Sequence, residues 1–240
     1  MMKLNKILRS IEIEVAAKTE TMWSLSSSSY EELITLSRAA FTESQLEKIE
    51  KTVDFVKSLT AADAHHPSIQ AYMSHPIRVA TMILKSLQEK RFEYTIIALI
   101  HNVYEIGGLT EEDVMNFGYS EFIAKSIRAL TVDRTHQFDT AYLSSYYAAI
   151  EDISPQLALV RCFDKLDNML ALKLIREENN RSLYLDLIQQ FVVPMATRLS
   201  PDLGMYMKDL GEYMQRVGCD PHLADRYESF KKEMTANEKK

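Results

Sequence analysis

The chain has 240 residues, 46% of them apolar and 26% charged, enough for a buried core without disulfides. That composition excludes a disordered chain, a collagen-like repeat and a disulfide-stapled miniprotein. With 28 Lys and Arg against 34 Asp and Glu, the net charge is −6. The basic residues are dispersed, so neither a DNA nor an RNA duplex is an expected partner. Only six glycines, with abundant Leu, Ala, Glu, Lys and Met, favour an all-α fold. Cys162 and Cys219 form no CxxC pair, which fits a reducing compartment and a cytoplasmic location. No apolar run approaches the ~18 residues of a membrane span, and charges interrupt Met1–Lys18, so neither a membrane nor a signal peptide is expected.

In chain order, Leu4, Ile7, Leu8, Ile11 and Val15 form one stripe of an amphipathic helix, to dock on the domain or on another subunit in a homo-oligomer. Ser24–Ser29 breaks that pattern, and a short helix is expected over Glu31–Ala40. Residues 1–41 thus read as an N-terminal helical extension and 42–240 as the main domain. Thr42 with Gln45 is a capping box for a helix to about Leu59. Ala64–Ser74 reads as a loop, and Pro76 as the first residue of a helix to Gln88.

Phe92–Ile106 is apolar on nearly every face and predicts one central helix, ended by Gly107-Gly108. Thr110 with Asp113 starts the next, and another runs from Ser120 to Leu130. An irregular stretch precedes a tyrosine-rich helix over Asp139–Ile150. Its Tyr142, Tyr146 and Tyr147 suit a packing face better than a stacking pocket. Pro155 opens a second central helix to about Arg176. Arg181–Leu199, Asp202–Val217 and Pro221–Met234 bring the expectation to roughly ten helices without a solenoid repeat.

The two most apolar helices carry polar groups that burial does not tolerate unpaired. His101, Asn102 and Glu105 interrupt the first; Asp164, Asp167 and Asn168 interrupt the second. An unpaired buried polar group costs roughly 1–3 kcal/mol, so these residues pair with each other or hold something. At i,i+4 spacing, His101–Glu105 and Asp164–Asn168 would each share a helix face. His75 adds an imidazole beside Pro76, and His75, His101 and Asp164 are ligand types for Mn²⁺, Fe²⁺ or Zn²⁺. Taken singly, each also has an ordinary structural explanation: a His on a carbonyl, an Asp on an Arg. His65, His66, His136 and His222 suit a solvated surface role better than ligation.

Three segments together resemble the HD-domain metal-dependent phosphohydrolases, and among them the hydrolase domain of RelA/SpoT-type enzymes and the small alarmone hydrolases. Tyr72 to Ala80 is similar to that family's Y-x-x-H-P-x-x-V-A, Ala98 to Glu105 to its A-L-L-H-D-V-V-E, and Phe163 to Met169 to its A-D-R-L-H-N-M. The order holds over about Val53–Leu199. The resemblance implies an all-α HD-domain helical bundle. It implies His75, His101, Asn102 and Asp164 as metal ligands, Glu105 as the catalytic group beside the attacking water, and Asn168, Tyr72 and His66 on the substrate side. The implied cofactor is a divalent metal, Mn²⁺ first. The implied partner is a nucleotide or other phosphorylated small molecule, with ppGpp or pppGpp losing its 3′-pyrophosphate.

The chain departs from that family where the chemistry sits. Asn102 stands in place of the namesake Asp, Ile106 in place of an acidic residue, and Asp167 in place of a His. His66-Pro67 replaces a basic pair that packs on guanine, and Ala171 replaces a hydroxyl residue. Asp167 is a carboxylate that could restore the charge lost at Asn102. Two readings follow: a nucleotide phosphohydrolase, or a degenerate HD domain that binds a nucleotide or a protein without turnover.

Overall fold

The structure is a computed structural model and describes residues 27–59, 72–87 and 91–238. The expected helix in Met1–Ala17, most of the expected loop before Ser74, and His65 and His66 lie outside them. Among the described residues there are helices and turns and no strand. The all-α expectation is met.

Helix α1 (Ser27–Ala40) precedes α2 (Glu43–Ser58). The capping box forms: the Gln45 amide donates to Thr42 Oγ1 at 3.4 Å, and the Thr42 amide donates to Gln45 Oε1 at 3.1 Å. Helix α3 spans Ser74–Ser86, with Pro76 inside its first turn, where a missing N–H costs nothing. Helices α1, α4 (Arg91–Ile100) and α9 (Pro155–Leu170) all pack on α3. Helix α4 is the buried centre, with Tyr94 and Ile96 to Ile100 at 2% exposure or less. Each such aliphatic side chain contributes about 1.5–3 kcal/mol on burial, so α4 anchors whatever its ends carry.

One expected helix is two. Phe92–Ile106 breaks at His101-Asn102, and a single turn, α5 (Val103–Ile106), follows with Asn102 at φ −111° and ψ 9° as its cap. The physical reason lies in His101: its Nδ1 donates to the Ala98 carbonyl at 2.7 Å, taking the acceptor that a continuing helix would offer to the Asn102 amide. Past Gly108, whose φ is +63°, the chain forms α6 (Glu111–Asn116) and α7 (Glu121–Leu130), each with its expected cap.

Asp139 caps α8 (Thr140–Ile153), and Ser154 with Pro155 opens α9. The latter stops at Leu170 instead of Arg176, and a 3₁₀ turn follows over Leu172–Leu174. The helix expected over Arg181–Leu199 is also divided, into α10 (Glu178–Leu187), a π turn (Ile188–Val192) and α11 (Val193–Leu199). Pro194 explains the widened turn, since it has no N–H and its ring crowds the carbonyl four residues earlier. Helices α12 (Pro201–Val217) and α13 (Pro221–Glu238) complete the described chain. None of the described helices is long and apolar enough to cross a membrane.

Candidate metal and nucleotide site

Three helices that touch one another each deliver one donor. His75 stands in the first turn of α3, His101 just past the end of α4, and Asp164 in the middle of α9. His75 Nε2 lies 3.2 Å from His101 Nε2 and 3.3 Å from Asp164 Oδ1, and His101 Nε2 lies 3.7 Å from Asp164 Oδ1. Ligands at about 2.1 Å from one ion are about 3.0 Å apart in octahedral and about 3.4 Å apart in tetrahedral geometry. Two sides of the observed triangle, 3.2 and 3.3 Å, fall within that range, and the third, 3.7 Å, is a few tenths of an ångström longer. Among the described His, Cys, Asp and Glu residues, these form the group that could hold a metal ion.

Proton placement reinforces the geometry. His101 Nδ1 faces a carbonyl, which only accepts, so that nitrogen carries the hydrogen. His75 Nδ1 lies 2.7 Å from Asp167 Oδ2, and that carboxylate also accepts from Arg78 Nε at 2.9 Å and Arg78 Nη2 at 3.0 Å. Both imidazoles therefore aim an Nε2 lone pair at the same point, beside a carboxylate oxygen. Such a cluster calls for a cation, and a proton is the simplest. Burial pulls the His75 pKa down, but its hydrogen bonds to Asp164 and Asp167 outweigh that and hold it above the ordinary imidazole value.

Asp164 is 1% exposed and divides its two oxygens between two tasks. Oδ2 accepts from Arg161 Nη1 at 2.7 Å and has Lys165 Nζ at 3.4 Å; Oδ1 accepts from Asn168 Nδ2 at 2.9 Å and faces the imidazoles. Burial alone would raise its pKa; Lys165, Arg161 and the two imidazoles reverse that and hold it well below the carboxylate range. Lys165 in turn is lowered, by burial first and by the neighbouring Arg161. The Arg161–Asp164 pair is the ordinary structural partner anticipated for a helix Asp, and it leaves Oδ1 to Asn168 and the imidazoles.

Beside the triangle lies a cavity of about 680 Å³, within the range of small-molecule sites. His75, Asn102, Asp167 and Asn168 form its floor, Arg78 and Arg134 supply charge, and Tyr72, Tyr184 and Phe138 supply rings. The Tyr72 hydroxyl is hydrogen-bonded to the Asn102 side chain. Among the lining Arg, Lys, Asp and Glu residues, Arg78 and Arg134 outnumber Asp167. An acidic protein thus presents a locally cationic pocket, which suits a polyanion.

Glu105 is not brought to the imidazoles. The helix break turns it toward the loop after α7, where Oε1 accepts the Val132 amide at 3.3 Å and Oε2 accepts from Arg134 Nη2 at 3.2 Å. The shared His101–Glu105 face expected from i,i+4 spacing is therefore corrected, whereas the Asp164–Asn168 face forms. Tyr146 and Tyr147 pack in the core, Tyr146 donating to the Leu130 carbonyl at 2.6 Å and Tyr147 stacking on Phe191. Tyr142 accepts the Asp133 amide at 2.8 Å and so holds the loop that carries Arg134. Arg78 and Arg134 carry no motif, and sequence reasoning did not single them out. The only signal for Arg78 was a cation one turn after His75 in an apolar helix.

No protein-family model matches the chain. Over 157 residues it is 25% identical to a guanosine-3′,5′-bis(diphosphate) 3′-pyrophosphohydrolase of Aquifex aeolicus, covering 64% of this chain and 22% of that protein. The chain therefore spans about a fifth of that relative's length. A solved structure described as a metazoan ortholog of SpoT that hydrolyzes ppGpp, with a role in starvation responses, superimposes with a TM-score of 0.54 at 18% identity. It covers 72% of this chain and 96% of its own. The chain resembles the RelA/SpoT-type HD hydrolases. The helical HD fold expected from the three motifs is the fold observed.

Proposed function

We propose that this protein is a divalent-metal-dependent phosphohydrolase of a nucleotide, with removal of the 3′-pyrophosphate of ppGpp or pppGpp as its reaction. The observation that carries the reading is the triangle of His75 Nε2, His101 Nε2 and Asp164 Oδ1, both Nδ1 atoms tied down, opening onto a cationic cavity of nucleotide size. His75, His101 and Asp164 hold the ion, with the Asn102 amide oxygen as a fourth, neutral ligand, and Mn²⁺ is the ion proposed. When bound, it supplies Lewis acidity toward a phosphoryl oxygen and acidifies water. Arg78 and Arg134 neutralise the substrate phosphates. Asn168 and Tyr72 face the sugar and base side of the cavity, and Tyr184 and Phe138 give apolar surface to a base. His66 is proposed on the substrate side from its sequence position alone. Glu105 accepts the proton of the attacking water once a bound phosphate draws Arg134 from it.

A second reading, binding without turnover, has its own supporting observation. Glu105 is engaged by Arg134 and the Val132 amide, and Ile106 leaves no adjacent acid. One assay separates the two. The full chain with Mn²⁺ is incubated with ppGpp, pppGpp and nucleotides phosphorylated at other positions, and products are resolved by ion-exchange chromatography. GDP plus pyrophosphate from ppGpp is expected. Intact nucleotides alongside measurable binding would replace the enzyme by a sensor.

A further inference from the structure

The carboxylate at position 167 does something that its neighbour at 164 does not. Asp164 offers an oxygen to the triangle; Asp167 stands behind His75, 2% exposed, with Oδ2 at 2.7 Å from Nδ1 and both oxygens gripped by Arg78. We propose that Asp167 is the positioning residue of the metal centre: it fixes the His75 tautomer and ring so that Nε2 faces the ion, and Arg78 holds Asp167 in register for that task. This rests on the metal-site reading above and adds to it a residue outside the ligand set.

The geometry favours orientation over charge compensation. If Asp167 simply replaced the charge missing at Asn102, its carboxylate would face the cation. Instead the two Arg78 hydrogen bonds, at 2.9 and 3.0 Å, pair its charge locally. What remains directional is the short bond to Nδ1. Without it a buried imidazole can carry its hydrogen on either nitrogen, and half of those choices block the ligand atom. His101 has the Ala98 carbonyl for the same purpose. Each imidazole thus has its own acceptor behind it, one supplied by backbone and one by Asp167.

The test is calorimetric titration of Mn²⁺ into the full chain and into Asp167→Ala, which removes the acceptor outright, with Zn²⁺-loaded ¹⁵N-labelled samples for the His75 imidazole signals. Loss of such a supporting acceptor typically costs about 10–100-fold in metal affinity, and that fall is expected. In the natural chain the His75 Nδ1 proton should be downfield and protected from exchange, and in Asp167→Ala it should lose both features. Arg78→Gln, which keeps the carboxylate, should lose less affinity than Asp167→Ala and retain the protected proton. Equal Mn²⁺ affinity in the natural chain and Asp167→Ala overturns the positioning role and leaves the metal site standing. A protected Nδ1 proton in Asp167→Ala overturns it as well, whatever the thermal stability of the variant. Absence of Mn²⁺ and Zn²⁺ binding in the natural chain removes the metal-site reading itself.

Discussion

Two polar segments enter the core of this protein, and they behave differently. On α9 the helix is unbroken, so Asp164 and Asn168 meet one turn apart and Asp167 points toward α3. Between α4 and α5 the helix breaks at His101-Asn102, and Glu105 swings away to Arg134. An unbroken helix converts spacing into geometry. A polar side chain that captures a backbone carbonyl cancels that conversion one residue later, and the contrast shows where i,i+4 reasoning holds.

The largest effects are expected where donors converge. Asp164→Asn should abolish Mn²⁺ binding and, by leaving Arg161 and Lys165 without their buried partner, lower stability by about 3–5 kcal/mol in chemical denaturation. His101→Ala should abolish binding without that charge penalty. Asn102→Asp, at the break, should tighten Mn²⁺ by about tenfold or more, because it replaces a neutral oxygen ligand by a charged one. An unchanged titration isotherm would place residue 102 outside the ligand set.

The pH dependence sharpens the contrast between proton and metal. His75 has a folded pKa above its unfolded value, so its stabilising contribution is complete below the unfolded pKa of about 6.5 and is lost as pH rises through the folded value. The metal-free protein should therefore lose this contribution on alkalinisation above about pH 6.5. Mn²⁺, which takes the place of the proton, should restore it, so the rise in Tm on adding Mn²⁺ should grow with pH. A metal-induced shift independent of pH would contradict a shared site. The smallest effect is expected at Glu105→Gln. It should change stability by no more than about 1 kcal/mol, since its Arg134 partner is 37% exposed, and leave Mn²⁺ affinity unaltered. A large loss of affinity would restore the unbroken-helix reading of His101 and Glu105.

Much of the fold was legible because capping and periodicity are local. Thr42 with Gln45, Thr110 with Asp113, Ser120, and Pro155 each start the helix they announce. The three ligand candidates were legible because buried polar residues in apolar helices demand partners. The breaks were less legible. Pro194 lies inside the helix expected over Arg181–Leu199, where the π turn that absorbs it depends on packing, and the break after Ile100 depends on a His101 rotamer. Arg78 and Asp167 meet across 89 residues, a pairing that neither spacing nor motif encodes.

Anomalous diffraction from Mn²⁺-soaked crystals of the full chain tests the central claim most directly. One peak about 2.0–2.3 Å from His75 Nε2, His101 Nε2 and Asp164 Oδ1 together is the predicted result. A peak bound elsewhere, with those three atoms linked only to each other and to protein partners, would contradict it.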